Sequence, residues 1–135
     1  MPIIGFNFNK IYVKRKKLPR GRVSVNNNVS IKDIKEADIP IDKTKQGALK
    51  IVFEFSSKYE PEIGEILLSG DLLLIEDINK LKQILKEWED SKKVSTQVMN
   101  KILNTILTKC NIQALILSQT VNLPPPIPLP KIQQK

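Results

Sequence analysis

Apolar and polar residues alternate along the first half of the chain, and recur every third and fourth position along the second. Ile4, Phe6 and Phe8 alternate, and Ile11 and Val13 resume in the opposite phase. That predicts a strand with a bulge near Asn9–Lys10. Leu18-Pro19-Arg20-Gly21 reads as a turn, with proline second and glycine fourth. Val23, Val25, Val29 and Ile31 keep period two, so the first two strands are expected to form a long hairpin. Residues 32–47 are polar and mixed in sign, and Pro40 disfavours a central strand there. They read as a connection crossing the sheet. Leu49, Ile51, Phe53 and Phe55 alternate as a third strand. I-L-L-S-G-D-L-L-L-I is a fourth, apolar on both faces, with a bend at Ser69-Gly70.

The period then changes. Asp77 is placed to cap a helix over 78–90 whose stripe is Ile78, Leu81, Ile84, Leu85 and Trp88. Ser95 or Thr96 is placed to cap a second helix over 97–119, with Met99, Ile102, Leu103, Ile106, Leu107 and Cys110 on one stripe. After Asn111 the aliphatic residues spread around the circumference. Ile112, Leu115, Ile116 and Leu117 cannot all face one sheet, because successive positions turn by about 100°. The first helix spans roughly 20 Å and the second roughly 35 Å, at about 1.5 Å per residue. The longer helix outreaches its neighbour, so these four residues are the expected interface of a homo-oligomer. Pro124, Pro125, Pro126, Pro128 and Pro130 end the helix and keep the residues beyond it extended. Four strands followed by two helices define an α+β domain: a four-stranded antiparallel sheet with a short and a long helix on one face. It covers residues 1–123, with a proline-rich strap or tail over 124–135. In the strap reading, Leu123, Ile127, Leu129 and Ile132 pack back on the domain or on a neighbouring subunit.

Composition narrows the chemistry. The 135 residues contain no histidine and one cysteine. Ser–His and Cys–His nucleophile pairs and ordinary zinc sites are therefore excluded. Cys110 falls on the apolar stripe and reads as a buried thiol in a reducing compartment, so the cytoplasm is expected. With five glycines, no phosphate-cradling or dinucleotide-binding motif occurs. Carboxylates, lysines and tyrosines form no tight cluster. The chain is expected not to be an enzyme and to need no cofactor or metal. No run of about 18 apolar residues exists, so no membrane span is expected. The opening residues alternate polar and apolar and hold no signal-peptide core. Net charge is +8, and residues 1–22 carry seven cationic side chains with no acidic one.

A resemblance to a known family rests on several landmarks: Tyr59, Ile63-Gly64, Leu68-Ser69-Gly70, an aliphatic second helix containing a cysteine, and Asn122-Leu123-Pro124. With the order of elements, these resemble the SecB family of export chaperones over roughly residues 57–126. None is a catalytic signature. The resemblance implies a homo-oligomer, dimer or tetramer, assembled through sheet edges and long helices. It also implies apolar grooves that hold unfolded or nascent polypeptides. The groove candidates are Leu72, Leu74, Ile78, Leu81, Leu85, Trp88 and Leu123, and core packing is the competing reading of each. Departures exist. The family docks its export motor through acidic residues on the sheet, whereas this chain is basic and its fourth strand offers Asp71, Glu76 and Asp77. The tail is also denser in proline.

Two other classes of function stay open. Lys14, Arg15, Lys16, Lys17, Arg20 and Arg22 form a basic patch at the expected hairpin tip, able to contact nucleic acid or the ribosome. The competing reading is a solvated tip whose cations guard against edge aggregation. The proline tail also fits a structural subunit, or a chaperone of a single partner.

Overall fold

The computed structural model describes residues 3–38 and 46–130. Its elements run β1 (Ile3–Arg15), β2 (Ser24–Ala37), β3 (Gln46–Glu60), β4 (Gly64–Asp77), α1 (Ile78–Ser91) and α2 (Thr96–Thr120). The strands form one antiparallel sheet in the order β1-β4-β3-β2. The strands β2, β3 and β4 form a meander and β1 lies beside β4, which makes a Greek key. Both helices pack on one face, against β2, β3 and β4.

This order corrects the expected hairpin. β1 and β2 occupy opposite edges, and residues 16–23 cross the end of the sheet between them. Eight residues suffice. The crossing spans three strand spacings, about 14 Å, and eight extended residues reach about 26 Å. The amides of Lys16 and Lys17 donate to the Ile63 carbonyl, at 2.7 and 3.3 Å, which pins the crossover to the β3–β4 turn. Gly21 takes a φ of +67° within it. The basic patch therefore spans the end of β1, at Lys14 and Arg15, and the crossover, not a hairpin tip. The expected connection over 32–47 also shortens, because residues 32–37 continue β2 and β3 begins at Gln46. Pro40 and Ile132 lie outside the described residues.

The bulge in β1 lies at Asn9. The register jumps there between Phe8↔Gly70 and Lys10↔Ser69. One extra residue keeps Phe6 and Phe8, then Ile11 and Val13, on the helix side despite their opposite phases. A second irregularity between Ile3 and Gly5 turns Ile3, rather than Ile4, toward the core. β4 receives β1 over two glycines. A Cβ on Gly70 would run into the Asn7 carbonyl oxygen, and one on Gly64 into that of Lys14.

β3 and β4 supply the core from alternate positions. Leu49, Ile51, Phe53, Phe55 and Tyr59 face Ile66, Leu68, Leu72 and Leu74 on the helix side, and all are buried. Phe53 stacks on Phe6 at 5.1 Å between centroids and meets Phe8 edge-on at 6.2 Å. Asp77 caps α1, its carboxylate accepting from the Asn79 amide at 2.9 Å. Ser95 holds the N-cap position of α2 without a side-chain cap bond. The buried residues of α2 are Val98, Ile102, Ile106, Cys110, Ala114 and Ser118, every fourth residue. Such a row slants by about 26° to the helix axis, so α2 crosses the layer beneath it obliquely.

After α2 the chain turns back. The Tyr59 hydroxyl donates to the Pro124 carbonyl at 2.7 Å. Ser57 donates to the Asn27 side chain at 2.6 Å, and Asn27 donates to the Pro126 carbonyl at 2.8 Å. Leu123 and Pro126 are buried and Ile127 is half-buried, while Leu129 is exposed. Burial pushes the Tyr59 phenol and the Cys110 thiol each up to about 12.

The packing has two measurable consequences. Gly70→Ala should cost about 1–3 kcal/mol in urea denaturation, because a methyl displaces the β1 backbone. An unchanged midpoint would contradict the close approach. Tyr59 and Cys110 keep their protons in the folded chain at pH values where the unfolded chain has lost them. The unfolded state binds fewer protons, so stability is full below the ordinary thiol value and falls as pH climbs from about 9 toward 12. Tyr59→Phe should cost about 1 kcal/mol at neutral pH and flatten the alkaline fall, read by melting between pH 7 and 11. A parallel alkaline fall in both proteins would contradict the assignment to Tyr59.

Candidate functional site

The helix layer does not reach evenly across the sheet. Beside β2, at a sheet edge, two depressions share Trp88 and Lys92. One, of about 550 Å³, is lined by Val29, Ile31 and Lys32 of β2 and by Met99 and Leu103 of α2. The other, of about 330 Å³, is lined by Asp33 through Glu36, with Leu85 and Glu89 of α1. Together they make a trough along residues 29–36 of β2. No described strand pairs with the outer side of β2, so its backbone groups are open to a partner there.

Local chemistry sets the trough's shape. Val29 and Ile31 pair with Phe55 and Phe53, so they lie on the helix side at the rim of the core. A register shift between Ile31 and Asp33 interrupts the edge, and the Asp33 carboxylate accepts from the Ile34 amide at 2.9 Å. The same oxygen accepts from the Trp88 indole N–H at 3.4 Å, which ties the ring to β2. Lys92 ends α1 in a left-handed conformation, φ +56°, its amide donating to the Trp88 carbonyl at 2.9 Å. Its Nζ lies 5.2 Å from the centre of the Trp88 ring, a cation–π distance. The larger depression is mostly apolar, the smaller is mixed, and the rim carries Lys32, Lys35 and Lys92 against Asp33, Glu36 and Glu89. The site offers apolar burial and an open strand edge. Among the described residues no group of three or more Cys, Asp or Glu side chains is placed to hold a metal ion.

The sequence candidates divide. Trp88 and Leu85 line the trough. Leu72, Leu74 and Leu81 do not: they are sealed between sheet and helices, with essentially no surface for a ligand to touch. Ile78 is half-buried, and Leu123 is buried at the opposite end, against Gly64. Val29, Ile31, Met99 and Leu103 line the trough without standing out as site residues in the sequence. Their signal is present in the period-two run of an edge strand and in the flank of the α2 stripe, where both read as core. Ile112 and Ile116 are 57% and 53% exposed, and Leu115 and Leu117 are half-buried. In the basic patch, Lys14, Lys16, Lys17, Arg20 and Arg22 are exposed and Arg15 is half-buried. Among the described residues no helix is long and apolar enough to cross a membrane.

No family model matches the chain, and no curated protein matches it. A solved structure does: the Mycobacterium tuberculosis Rv1957 SecB-like chaperone in complex with a ChAD peptide from the Rv1956 HigA1 antitoxin. The two superpose with a TM-score of 0.52 at 8% sequence identity, covering 99% of this chain and 91% of that one. The four-stranded antiparallel sheet with its two following helices is a SecB-like fold.

Proposed function

We propose that this chain is a chaperone-like binding protein that holds unfolded or nascent polypeptide segments in the trough beside β2. The observation that carries the reading is the conjunction of a largely apolar depression with a strand edge that no described strand pairs. An extended segment can pair with the open side of β2 while its alternate side chains drop toward Trp88, Met99 and Leu103. Burying a leucine-sized side chain contributes about 1.5–3 kcal/mol. A trough of this size takes two or three such side chains, and ordering the segment offsets much of their gain. One trough therefore binds weakly, and several joined in an assembly hold one chain far longer. That supports a homo-oligomer, with the exposed aliphatic face of Ile112 and Ile116 as its contact. The Rv1957 complex supports a dedicated client as one form of this activity. Delivery to an export motor has less support, because Lys10, Lys14, Lys50 and Lys58 stand on the sheet face where the family's docking surface is acidic. Binding of this kind requires no catalytic group, and the cytoplasm is the compartment it implies.

Binding of a fluorescent, reduced and carboxymethylated protein tests the trough. Met99→Glu and Leu103→Glu should each weaken it at least tenfold while circular dichroism stays unchanged, and Lys50→Ser on the other face should leave it unaltered. Equal affinity in all three variants would remove the trough as the site. Light scattering tests the assembly. The wild type should give a multiple of 15.4 kDa, and Ile112→Asp or Ile116→Asp should reduce that mass or precipitate the protein. A wild-type monomer with both variants soluble and folded would contradict it.

A further inference from the structure

The sheet face that carries no helix has its own chemistry. The bulge at Asn9 and the period-two alternation after it place Lys10, Tyr12 and Lys14 outward, opposite Ser69, Leu67 and Glu65. The register continues these rows across the sheet. Lys14, Glu65, Lys58 and Asn26 form one row, and Tyr12, Leu67, Ser56 and Asn28 the next. Toward the other end, Val52, Leu73 and Ile75 share the same face with Lys35, Lys50 and Asp71. Tyr12 is 39% exposed, with a lysine about 7 Å along the strand on either side. The crossover adds exposed Lys16, Lys17, Arg20 and Arg22 at this same end.

The cations here are not neutralised. Eight of them, residues 10, 14–17, 20, 22 and 58, share this end with four carboxylates, Glu54, Glu60, Glu62 and Glu65, Glu54 lying in the row of Lys10 and Ser69. The only ion pair among the described residues is Lys50–Asp71, at the other end of the face, at 3.9 Å.

We propose that this end of the helix-free face is a platform for single-stranded nucleic acid. Tyr12 stacks on one base, Lys10, Lys14 and Lys58 with the crossover cations hold phosphates, and Asn26, Asn28 and Ser56 offer hydrogen bonds to base edges. An exposed aromatic ring bracketed by lysines on an uncovered sheet face matches a strand whose bases are unstacked. A duplex hides its base faces and would meet only the charge. An acidic protein would gain from the cations but would leave Tyr12 without a special role. The platform is independent of the trough, which lies on the opposite side of the sheet, so each can be tested with the other intact.

Fluorescence anisotropy with labelled 20-residue oligouridylate, oligothymidylate, a duplex of equal length and polyglutamate tests this at several salt concentrations. Both single strands should bind more tightly than the duplex or polyglutamate, and the ratio of RNA to DNA affinity separates the two sources. Tyr12→Ala should weaken single-strand binding about tenfold with little change in salt slope. Tyr12→Phe should retain it. Lys10→Ser and Lys14→Ser should each flatten the slope by roughly 0.7. Binding of the unfolded client by these variants should be unchanged, which shows that the fold is intact. Equal affinity for duplex and single strand, full binding by Tyr12→Ala, or preference for polyglutamate would each overturn the platform.

Discussion

Burial of every fourth residue along α2, from Val98 to Ser118, fixes where the helix layer can sit. A helix turns about 100° per residue, so each step of four advances the buried direction by about 40°. Over the length of α2 the buried side therefore rotates around the helix. Near its start, Met99 and Leu103 are left just beside the buried row, facing Val29 and Ile31 across the trough. Near its end, small Ala114 and Ser118 are the buried members, and Ile112 and Ile116 are turned to the outside. The same slanted row thus leaves an apolar cleft at one end and an apolar face at the other. Trp88, tied to Asp33 and covered by Lys92, occupies the junction of the two depressions without filling either.

Period-two and period-four patterns made most elements legible. The bulge at Asn9 could be read because Phe8 and Ile11 change phase, and α1 because Asp77 precedes a clean stripe. The pairing of strands could not be read this way. Periodicity assigns side chains to faces, and the face assignments of β1 and β2 are the same in a hairpin and in a Greek key. The two glycines of β4 held the missing information, since Gly64 and Gly70 are where the backbone of β1 comes closest. The site was half legible for a similar reason. Leu72, Leu74 and Leu81 carry the same signal as any groove residue, and only the position of the helices shows that they are sealed. Val29 and Ile31 look like core in sequence because an edge strand alternates just as an inner one does.

The sheet separates two environments. Its helix side is apolar, with an open edge suited to an extended polypeptide. Its other side runs from mixed at one end, where Val52, Leu73 and Ile75 lie among Lys35, Lys50 and Asp71, to cationic around Tyr12. The crossover of residues 16–23 ties the two edges together, since it links β1 to β2 and hangs from the Ile63 carbonyl on the way. The strap after α2 closes the same end on the helix side, where Tyr59 and Asn27 hold the carbonyls of Pro124 and Pro126. Together these leave the middle of β2 as the open stretch of edge beside apolar walls.

Hydrogen exchange of the intact protein, with and without a saturating unfolded polypeptide, tests strand addition in the trough most directly. It predicts new protection of the outward-facing amides of β2 between residues 28 and 36, together with slower exchange at the start of α2. The β1 edge should exchange as before. Protection confined to β1, or none on β2 while the polypeptide is demonstrably bound, would contradict it.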